Sequence, residues 1–429
     1  MRGAFLPVIV AGLTPLVVLT ILSLSVGFSW VQWQPPTLWT TQFGTQSESD
    51  VVALSGNSQG LFAAGFLNGG PRGLPSTHLV AGLDFNGHVE WQSLGKNGSD
   101  FPVVNELSSG SEGVYVAWQS AVFSGLVEKY YLNGSLAWST PFMTDATGIS
   151  TDANSVYVVG YLFSNGQTYS YFLRRYDFSG NIVSTSFLSN STILQNVSVF
   201  SDSSGVYVSG VNGTDGQVSY FLRRYDLDGI LKWSANCTCY RSGVSADSTG
   251  IYVTGMGAFG TGALSRYDLN GKQVWTRMIP SPDPTDVADI HLSTDSSGVD
   301  LAMKTSMFGY LMRYDGGGNQ LWSIRTLQSL DSVWAGQSGV YVGGKDTFAE
   351  LTIGNGFVSE YSTSSSLILF WVNPPWSFAI LAGVGGAVVL SVVWYGRRLR
   401  RRALRPKTSV PRPSSRSPED HRQWIKRGP

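Results

Sequence analysis

Side chains that could carry chemistry are few in this sequence of 429 residues, and they are scattered. Residues 31–376 contain three histidines, His78, His88 and His291. On a strand, His88 and Glu90 would share one face, but two ligands are too few to hold a metal ion. The sequence shows no catalytic constellation, and we therefore expect that the protein is not an enzyme.

Three aspartates are candidate ligands for a cation. Asp283, Asp286 and Asp289 follow Trp275 in one predicted loop with prolines close by. Carboxylate oxygens are ligands that Ca²⁺ prefers, so the three side chains could gather a calcium ion. The alternative is that they are solvated acids of a surface loop. Calcium is the one cofactor that the sequence leaves open, and otherwise we expect none.

Two further sets of polar residues recur along the chain. Six Asn-x-Ser/Thr sequons are glycosylation candidates if this region lies outside the cell, and they begin at Asn97, Asn133, Asn190, Asn196, Asn212 and Asn236. Arginines precede a Tyr-Asp pair at Arg174, Arg175, Arg223, Arg224, Arg266 and Arg313. Either these arginines form an anion-binding face, or each pairs with the aspartate two residues along or with one from a neighbouring repeat.

Charge is strongly segregated along the chain, although the formal net charge is zero. From Arg397 to the end there are 12 Lys/Arg against 2 acidic residues, a net charge of +10. Residues 31–376 hold 16 Lys/Arg against 27 Asp/Glu, a net charge of −11. An acidic main body argues against nucleic acid as a partner, and only two cysteines exclude a disulfide scaffold or a zinc-cysteine protein.

Both ends of the chain contain a long uncharged apolar stretch, residues 4–28 and 377–395. At about 1.5 Å per residue each is long enough to cross a hydrocarbon core of about 30 Å. The first, within residues 1–30, is a signal anchor or a long signal peptide, and the second is predicted to be a transmembrane helix. Basic residues 396–429 then form a disordered cytoplasmic tail, so residues 37–363 and the linker 364–376 are expected outside the cell membrane.

The main body is built from a repeated pattern. Short aromatic or β-branched runs start at intervals of roughly 46 residues, at Gly60, Gly113, Ser155, Gly205, Gly250, Gly298 and Gly339. Most are followed by Asp-x2-Gly-x3-Trp, which ends at Trp91, Trp233, Trp275 and Trp322. Weakened copies have Tyr131 for the aspartate before Trp138 and Ser184 for the tryptophan, and the copy around Asn355-Gly356 has neither. These repeats contain only strand and turn signals.

Such a period predicts an all-β fold, a seven-bladed β-propeller of four-stranded blades flanked by two transmembrane helices. Asn-Gly and Asp-Gly supply the positive φ of a tight turn between the third and fourth strands. The following tryptophan would then wedge between neighbouring blades, so that sheets that bury little alone share one core. Five residues are predicted to dock blades in this way: Trp91, Trp138, Trp233, Trp275 and Trp322.

The segments from Trp39 to Thr45 and from Asn57 to Gly65 resemble the bacterial and archaeal seven-bladed β-propeller repeat of the SBBP type. Asp-x2-Gly-x3-Trp is similar to the docking pattern of pyrroloquinoline-quinone-type propellers. The resemblance covers about residues 37–363 and implies a central channel, closed by pairing of residues 38–43 with residues 357–361. Quinone-dependent members often carry two adjacent cysteines, and Cys237 and Cys239 depart from that pattern. On one strand face these two form either a bridge or separate thiols.

We therefore expect a membrane-anchored extracellular propeller that binds a cell-surface protein or glycan, or serves as a structural element. Two alternatives remain, a quinoprotein-like or lyase-type enzyme and an envelope sensor or assembly factor. The connections of variable length, residues 68–78, 164–170 and 210–219, should emerge on one face, where binding is expected. The turns at Asn86-Gly87 and Asn270-Gly271 should lie on the opposite face.

Overall fold

The computed structural model describes residues 35–363, except for 45–47, 70–76, 96–102, 120–124, 143–144, 165–167, 193–196, 215–216, 238–239, 257–260, 280–286, 337 and 348–353. Every regular element among these residues is a β-strand. In this part of the chain no helix has the length and apolar character needed to span a membrane. The predicted spans, residues 4–28 and 377–395, lie outside the described residues.

The strands are arranged in consecutive sets of four, and neighbours within a set are antiparallel. Sets 1 to 3 are β2 (Glu48–Asn57), β3 (Gly60–Gly69), β4 (Thr77–Leu83), β5 (Val89–Leu94); β6 (Val103–Gly110), β7 (Gly113–Gln119), β8 (Gly125–Tyr130), β9 (Leu136–Phe142); and β10 (Asp145–Thr151), β11 (Val156–Ser164), β12 (Thr168–Tyr176), β13 (Ile182–Ser191). Sets 4 to 6 are β14 (Ser198–Asp202), β15 (Gly205–Thr214), β16 (Gln217–Tyr225), β17 (Leu231–Cys237); β18 (Tyr240–Asp247), β19 (Gly250–Met256), β20 (Gly262–Tyr267), β21 (Gln273–Ile279); and β22 (Val287–Asp295), β23 (Gly298–Thr305), β24 (Gly309–Tyr314), β25 (Gln320–Thr326). Set 7 is β26 (Ser329–Ala335), β27 (Gly339–Lys345), β28 (Gly356–Ser362) and β1 (Thr37–Phe43). In this order we call the strands of each set first, second, third and fourth.

The sets follow one another around a closed cycle. Each set is a separate sheet, except that sets 3 and 4 are joined by a single parallel bridge between Ser191 and Gly213. Each first strand contacts the first strand of the next set, from β2 onward to β26, and β26 contacts β2. The described chain is thus all-β, with repeated four-stranded sheets like those of a β-propeller. At this level the predicted fold class is confirmed.

The N-terminal strand closes the cycle. It pairs with the third strand of set 7 in a register that runs from Thr37 opposite Tyr361 to Phe43 opposite Gly356. This is the pairing that the resemblance to SBBP-type propellers implies. Beyond the strands, the backbone N–H of Ser362 donates to the carbonyl of Pro36 at 3.2 Å, so the two ends of the described chain leave the sheet side by side.

The apolar core lies between sets and not within single sheets. Second strands such as β19 are buried along almost their whole length, whereas fourth strands such as β17 alternate between exposed and half-buried residues. Leu264 of set 5 belongs to the same buried cluster as Leu301 and Tyr310 of set 6. Because each sheet buries its faces against its neighbours, the sets stabilise one another, as in other repeat proteins.

Two sequence interpretations are corrected by the strand order. Asn355 and Gly356 follow the second strand of set 7 and lead into its third, so they are not a turn between third and fourth strands. The fourth strand of that set comes from the N-terminal segment, which supplies Trp39 at the docking position. The expected loop at residues 210–219 is mostly a hairpin, because β15 continues to Thr214 and β16 begins at Gln217.

Candidate binding face around the central cavity

Six of the first strands carry a β-bulge near their start. The register shifts lie between Val51 and Ala53, Val104 and Glu106, Ala146 and Gly148, Tyr240 and Gly243, Val287 and Asp289, and Leu330 and Ser332. A bulge leaves a residue unpaired and redirects its side chain. It also crowds the second strand, since a Cβ at Gly65 would overlap the carbonyl of Asp50. This close approach explains a glycine just after the repeated apolar run.

The bulged ends of the first strands surround a cavity of about 480 Å³. Its polar wall includes Glu106, Asp289 and His291, and its apolar wall includes Val52 and Leu54. Residues from the first strand of every set contribute to the lining, so the cavity lies on the axis of the cycle. The sequence interpretation expected this central channel but assigned no residue to it.

Side chains of one first strand satisfy the free backbone edge of the next. Thr147 Oγ1 donates to the carbonyl of Val197 at 2.8 Å, and Glu106 Oε2 accepts from the N–H of Ile149 at 3.1 Å. Further along the cycle, the N–H of Ala335 donates to Ser293 Oγ at 2.9 Å. Buried backbone groups are costly when unpaired, and these first strands have no strand on their inner edge. The Ser, Thr and Glu side chains therefore stabilise the cavity wall.

Two titratable groups in the wall have shifted pKa values. Burial raises the pKa of Glu106 to about 7, although its bond from the Ile149 N–H opposes this. Burial acts to lower the pKa of His291, but Asp289, whose Oδ2 is 3.5 Å from His291 Nε2, raises it and prevails. The wall therefore holds a carboxyl group and an imidazole whose pKa values both lie above their ordinary values.

A second cluster of titratable side chains lies close to Glu106 and His291, and it consists of Asp50, Lys304 and Asp331 from sets 1, 6 and 7. Lys304 Nζ is 2.7 Å from Asp331 Oδ1. Burial and then the Asp331 carboxylate raise the pKa of Asp50 to about 8, against the attraction of Lys304. Oδ1 of Asp50 has no hydrogen-bond partner within the described part of the chain. Lys304 and Asp331 lie within electrostatic reach of the cavity wall, because Lys304 acts on Asp289 and Asp331 acts on His291. No triad of metal-ligating side chains occurs among the described residues.

The connections between second and third strands and between fourth and first strands lie on one side, which we call the loop-bearing face, and the cavity is lined by the parts of the first strands nearer to that side. The opposite, turn-bearing face carries the turns between third and fourth strands. In the turn of set 4, Asp226 Oδ1 accepts from the backbone N–H groups of Asp228 and Ile230 at 3.1 and 2.8 Å. The same arrangement occurs at Asp84, Asp177, Asp268 and Asp315.

These aspartates therefore stabilise their own turns, and among the bonds observed the arginines contact other groups. Arg175 pairs with Asp228 of the next set at 3.1 Å. Arg224 and Arg266 donate to backbone carbonyls of the following turns. Arg313 pairs with Asp295 and Asp300 of its own set. Among the described ion pairs, the arginine with an inter-set partner is Arg175, which pairs with an aspartate of the neighbouring repeat, whereas the turn aspartates accept from their own turns.

Tryptophans of the fourth strands lie against the turn of the next set. The ring of Trp233 covers Gly271, and its Nε1 donates to the carbonyl of Leu269 at 3.1 Å. Trp39, Trp138 and Trp275 make equivalent bonds at 3.0 to 3.1 Å. Trp91 covers Gly134 in the same way, and Trp322 packs against a buried cluster that includes residues of set 7.

Set 3 differs at this position. Ser184 stands where the others have tryptophan, and its hydroxyl is 3.7 Å from the place of a Cβ on Gly229. The carbonyl of Leu227, which corresponds to that of Leu269, instead accepts from the hydroxyl of Tyr157 at 2.9 Å. The parallel bridge that joins sets 3 and 4 occurs at this same junction.

The predicted calcium ligands are not brought together in the described residues. Asp283 and Asp286 lie outside them. Asp289 belongs to β22 and not to a loop, and it pairs with His291. Burial acts to raise the pKa of Asp289, but His291 lowers it to about 2. The expectation that Asp289 is a loop acid is wrong, because the first strand of set 6 starts earlier than the sequence pattern indicated.

The remaining candidate residues lie away from the cavity. Asn133, Asn190, Asn212 and Asn236 are exposed, and Asn97 and Asn196 lie outside the described residues. Asn133 Oδ1 accepts from the hydroxyl of Ser135 at 2.7 Å within its turn. Cys237 is disulfide-bonded, and the only other cysteine in the sequence is Cys239.

Comparison with known proteins shows similarity of fold without similarity of sequence. No family model matches the chain, and no curated protein is similar to it. The structure of RRP9 WD40 repeats has a TM-score of 0.52 at 10% identity, over 77% of this chain and 99% of that one. A chain of the Mitotic Checkpoint Complex has a TM-score of 0.50 at 10% identity, over 78% and 97% of the two chains. BamB from Moraxella catarrhalis has a TM-score of 0.46 at 11% identity, over 76% and 100%. The first two likenesses show the fold alone: the chain is similar to β-propellers of the WD40 kind.

Proposed function

We propose that the protein is a seven-bladed β-propeller that acts as an extracellular protein-binding module, anchored in the cell membrane through residues 4–28 and 377–395. Each set is one blade in this proposal. The cycle of first strands supports the blade number. The uncharged stretches at both ends and the basic residues 396–429 support anchoring, with the tail in the cytoplasm.

The observation that carries this proposal is the contrast between the two faces. On the turn-bearing face, five residues separate third and fourth strands in sets 1 to 6, as from Leu83 to Val89. On the loop-bearing face, the connections between second and third strands range from two residues in set 4 to ten in set 7. Variable loops on a rigid scaffold are where binding residues usually occur. The loop-bearing face is therefore the proposed binding surface.

A protein partner fits this face better than a small molecule does. The cavity wall and the residues beside it carry charged groups of both signs, so a partner with complementary charges would be oriented by them. One of the fold neighbours is, by its title, part of a complex. A glycan on the partner remains compatible with the polar connections of this face.

Loop exchange tests the proposal. Replacing residues 70–76 with an Asn-Gly turn should leave the thermal midpoint of the purified full-length chain near that of the wild type and reduce capture of its partner from envelope extract. Asn86→Ser and Asn270→Ser, both on exposed turn residues, are the controls and should capture normally. Normal capture by the loop variant together with loss in the turn variants would assign binding to the wrong face.

A second candidate function is supported by Glu106 and His291. A carboxyl group with a pKa of about 7 opposite an imidazole is an arrangement used in general acid–base catalysis. The quinoprotein-like or lyase-type enzyme then uses the same cavity. A visible absorption band or stoichiometric metal in the purified protein would favour this candidate, whereas a colourless, metal-free protein that captures its partner would favour binding.

A further inference from the structure

The two ends of the described chain leave the structure at the turn-bearing face. Fourth strands begin at this face, because each follows a turn, and β1 is the fourth strand of set 7. It starts at Thr37, opposite Tyr361 near the end of the third strand. The bond from the Ser362 N–H to the Pro36 carbonyl holds both ends at one point of this face.

The chain between that point and the first predicted span is short. Residue 28 ends the uncharged stretch, and Pro36 is eight residues further on. At no more than about 3.6 Å per residue, this segment reaches at most about 29 Å. A seven-residue strand at about 3.3 Å per residue is about 23 Å long. The segment between residue 28 and Pro36, which we call the tether, is therefore only slightly longer than one strand of a set. The second span begins 15 residues after Ser362 and permits a longer path.

The rim of the same face carries a regular ring of exposed aliphatic side chains. Every fourth strand has one within its first two residues, with exposures between 36% and 55%: Leu38, Val89, Leu136, Ile182, Leu231, Val274 and Leu321. We call these residues the aliphatic rim. At the other end of the same strands, exposed aliphatic residues are irregular, with Leu94 on β5 and Met278 on β21 as examples.

We propose that the turn-bearing face lies on the outer surface of the bilayer, with the aliphatic rim in the interfacial region of a zwitterionic lipid membrane. This inference rests on the proposed membrane anchoring. Aliphatic side chains gain free energy when they leave water at this boundary, and the short tether keeps them within reach of it. The loop-bearing face then points away from the membrane, toward a partner outside the cell.

The charge of residues 31–376 determines which lipid headgroups the turn-bearing face can approach. Residues 31–376 carry a net charge of −11, and an aspartate occupies the turn in five of the sets. Anionic headgroups would repel this face, whereas phosphatidylcholine presents no net charge. Docking should therefore weaken when phosphatidylserine replaces part of the phosphatidylcholine and recover when salt is added.

Fluorescence quenching in vesicles tests this docking on the full-length chain. Single cysteines introduced as L136C and L231C place a fluorophore on the aliphatic rim. L94C and M278C place it at the opposite ends of fourth strands, at residues that are 56% and 58% exposed. In phosphatidylcholine vesicles that contain headgroup-nitroxide lipid, the rim labels should lose fluorescence and the opposite labels should keep it.

The outcomes separate docking from anchoring. Chain that does not float with vesicles would overturn both. Chain that floats while all four labels are quenched equally, or not at all, would overturn the docking and leave the anchoring intact. A rim label that is still quenched after the other rim leucines are replaced by aspartate would also overturn it, because the tether alone would then explain the proximity.

Discussion

The tryptophan docking between sets gives a quantitative prediction for Trp233→Ala. The ring is half-buried against Gly271, and its N–H bonds the Leu269 carbonyl. An aromatic side chain in a core buries 150–250 Å², so half of that, about 100 Å² at about 25 cal/mol per Å², contributes about 2.5 kcal/mol. The hydrogen bond adds about 0.5 kcal/mol, the lower end of the usual range for an intramolecular hydrogen bond. We expect Trp233→Ala to lower the free energy of unfolding by about 3 kcal/mol.

Calorimetry or circular dichroism on the purified chain measures this loss. With an unfolding entropy of about 2.1 cal/mol/K per residue over about 330 residues, a loss of about 3 kcal/mol lowers the thermal midpoint by about 4 °C. Trp233→Phe keeps a ring on Gly271 but loses the hydrogen bond to the Leu269 carbonyl, so it should lower the thermal midpoint by less than Trp233→Ala does. Leu231→Ala is the control, because Leu231 lies on the same strand and is 48% exposed. Equal midpoints for Trp233→Ala and Leu231→Ala would refute the docking role.

Three further changes follow from the described contacts. Because burial raises the pKa of Glu106 from 4.5 to about 7, the wild type should lose stability as pH rises through that range. In urea unfolding, Glu106→Gln should match the stability of the wild type at pH 4 and exceed it above pH 7 by up to about 3 kcal/mol. Gly271→Ala should lower the free energy of unfolding by about 2 kcal/mol in the same assay, since Gly271 has a φ of +84° and a Cβ there would meet the ring of Trp233. Gly317→Ala, in the turn of set 6, should leave the free energy of unfolding nearly unchanged. Arg313→Met should cost about 3–5 kcal/mol by leaving Asp300 buried without its partner at 3.0 Å, and adding Asp300→Leu should restore much of that loss.

The repeat could be predicted because each set encodes it locally. A turn at Asp268 with Gly271 at positive φ depends on residues four apart, and the strand pattern around it has a period of two. Closure by the N-terminal strand followed from the resemblance to SBBP-type propellers, and the strand order of set 7 agrees with it. Sequence patterns that involve only nearby residues therefore predicted most strands and the turn-bearing face.

The cavity wall could not be assigned in this way. Glu106 and His291 lie in different sets, far apart in sequence, and neither belongs to the repeated pattern. Their proximity depends on the bulges of the first strands, and a bulge has no fixed sequence signal at this position. The bulge between Val287 and Asp289 lies in the part of β22 that the sequence pattern assigns to a loop.

The sequence by itself determined the all-β class, the length of the repeat and the turns, because these depend on neighbours within one or two strands. The tryptophans recur with the repeat, but the surface that each one covers belongs to the next set. Only the tertiary structure decided which side chains face the axis, that Leu227 accepts a bond from Tyr157 where Ser184 replaces tryptophan, and that both ends of the described chain leave at one face. Such features depend on contacts between sets and on the closure of the cycle, which bring together residues that are far apart in the sequence. The pKa values of the cavity follow partly from that closure, because Asp331 and Glu106 of other sets act on His291 together with Asp289 of its own strand.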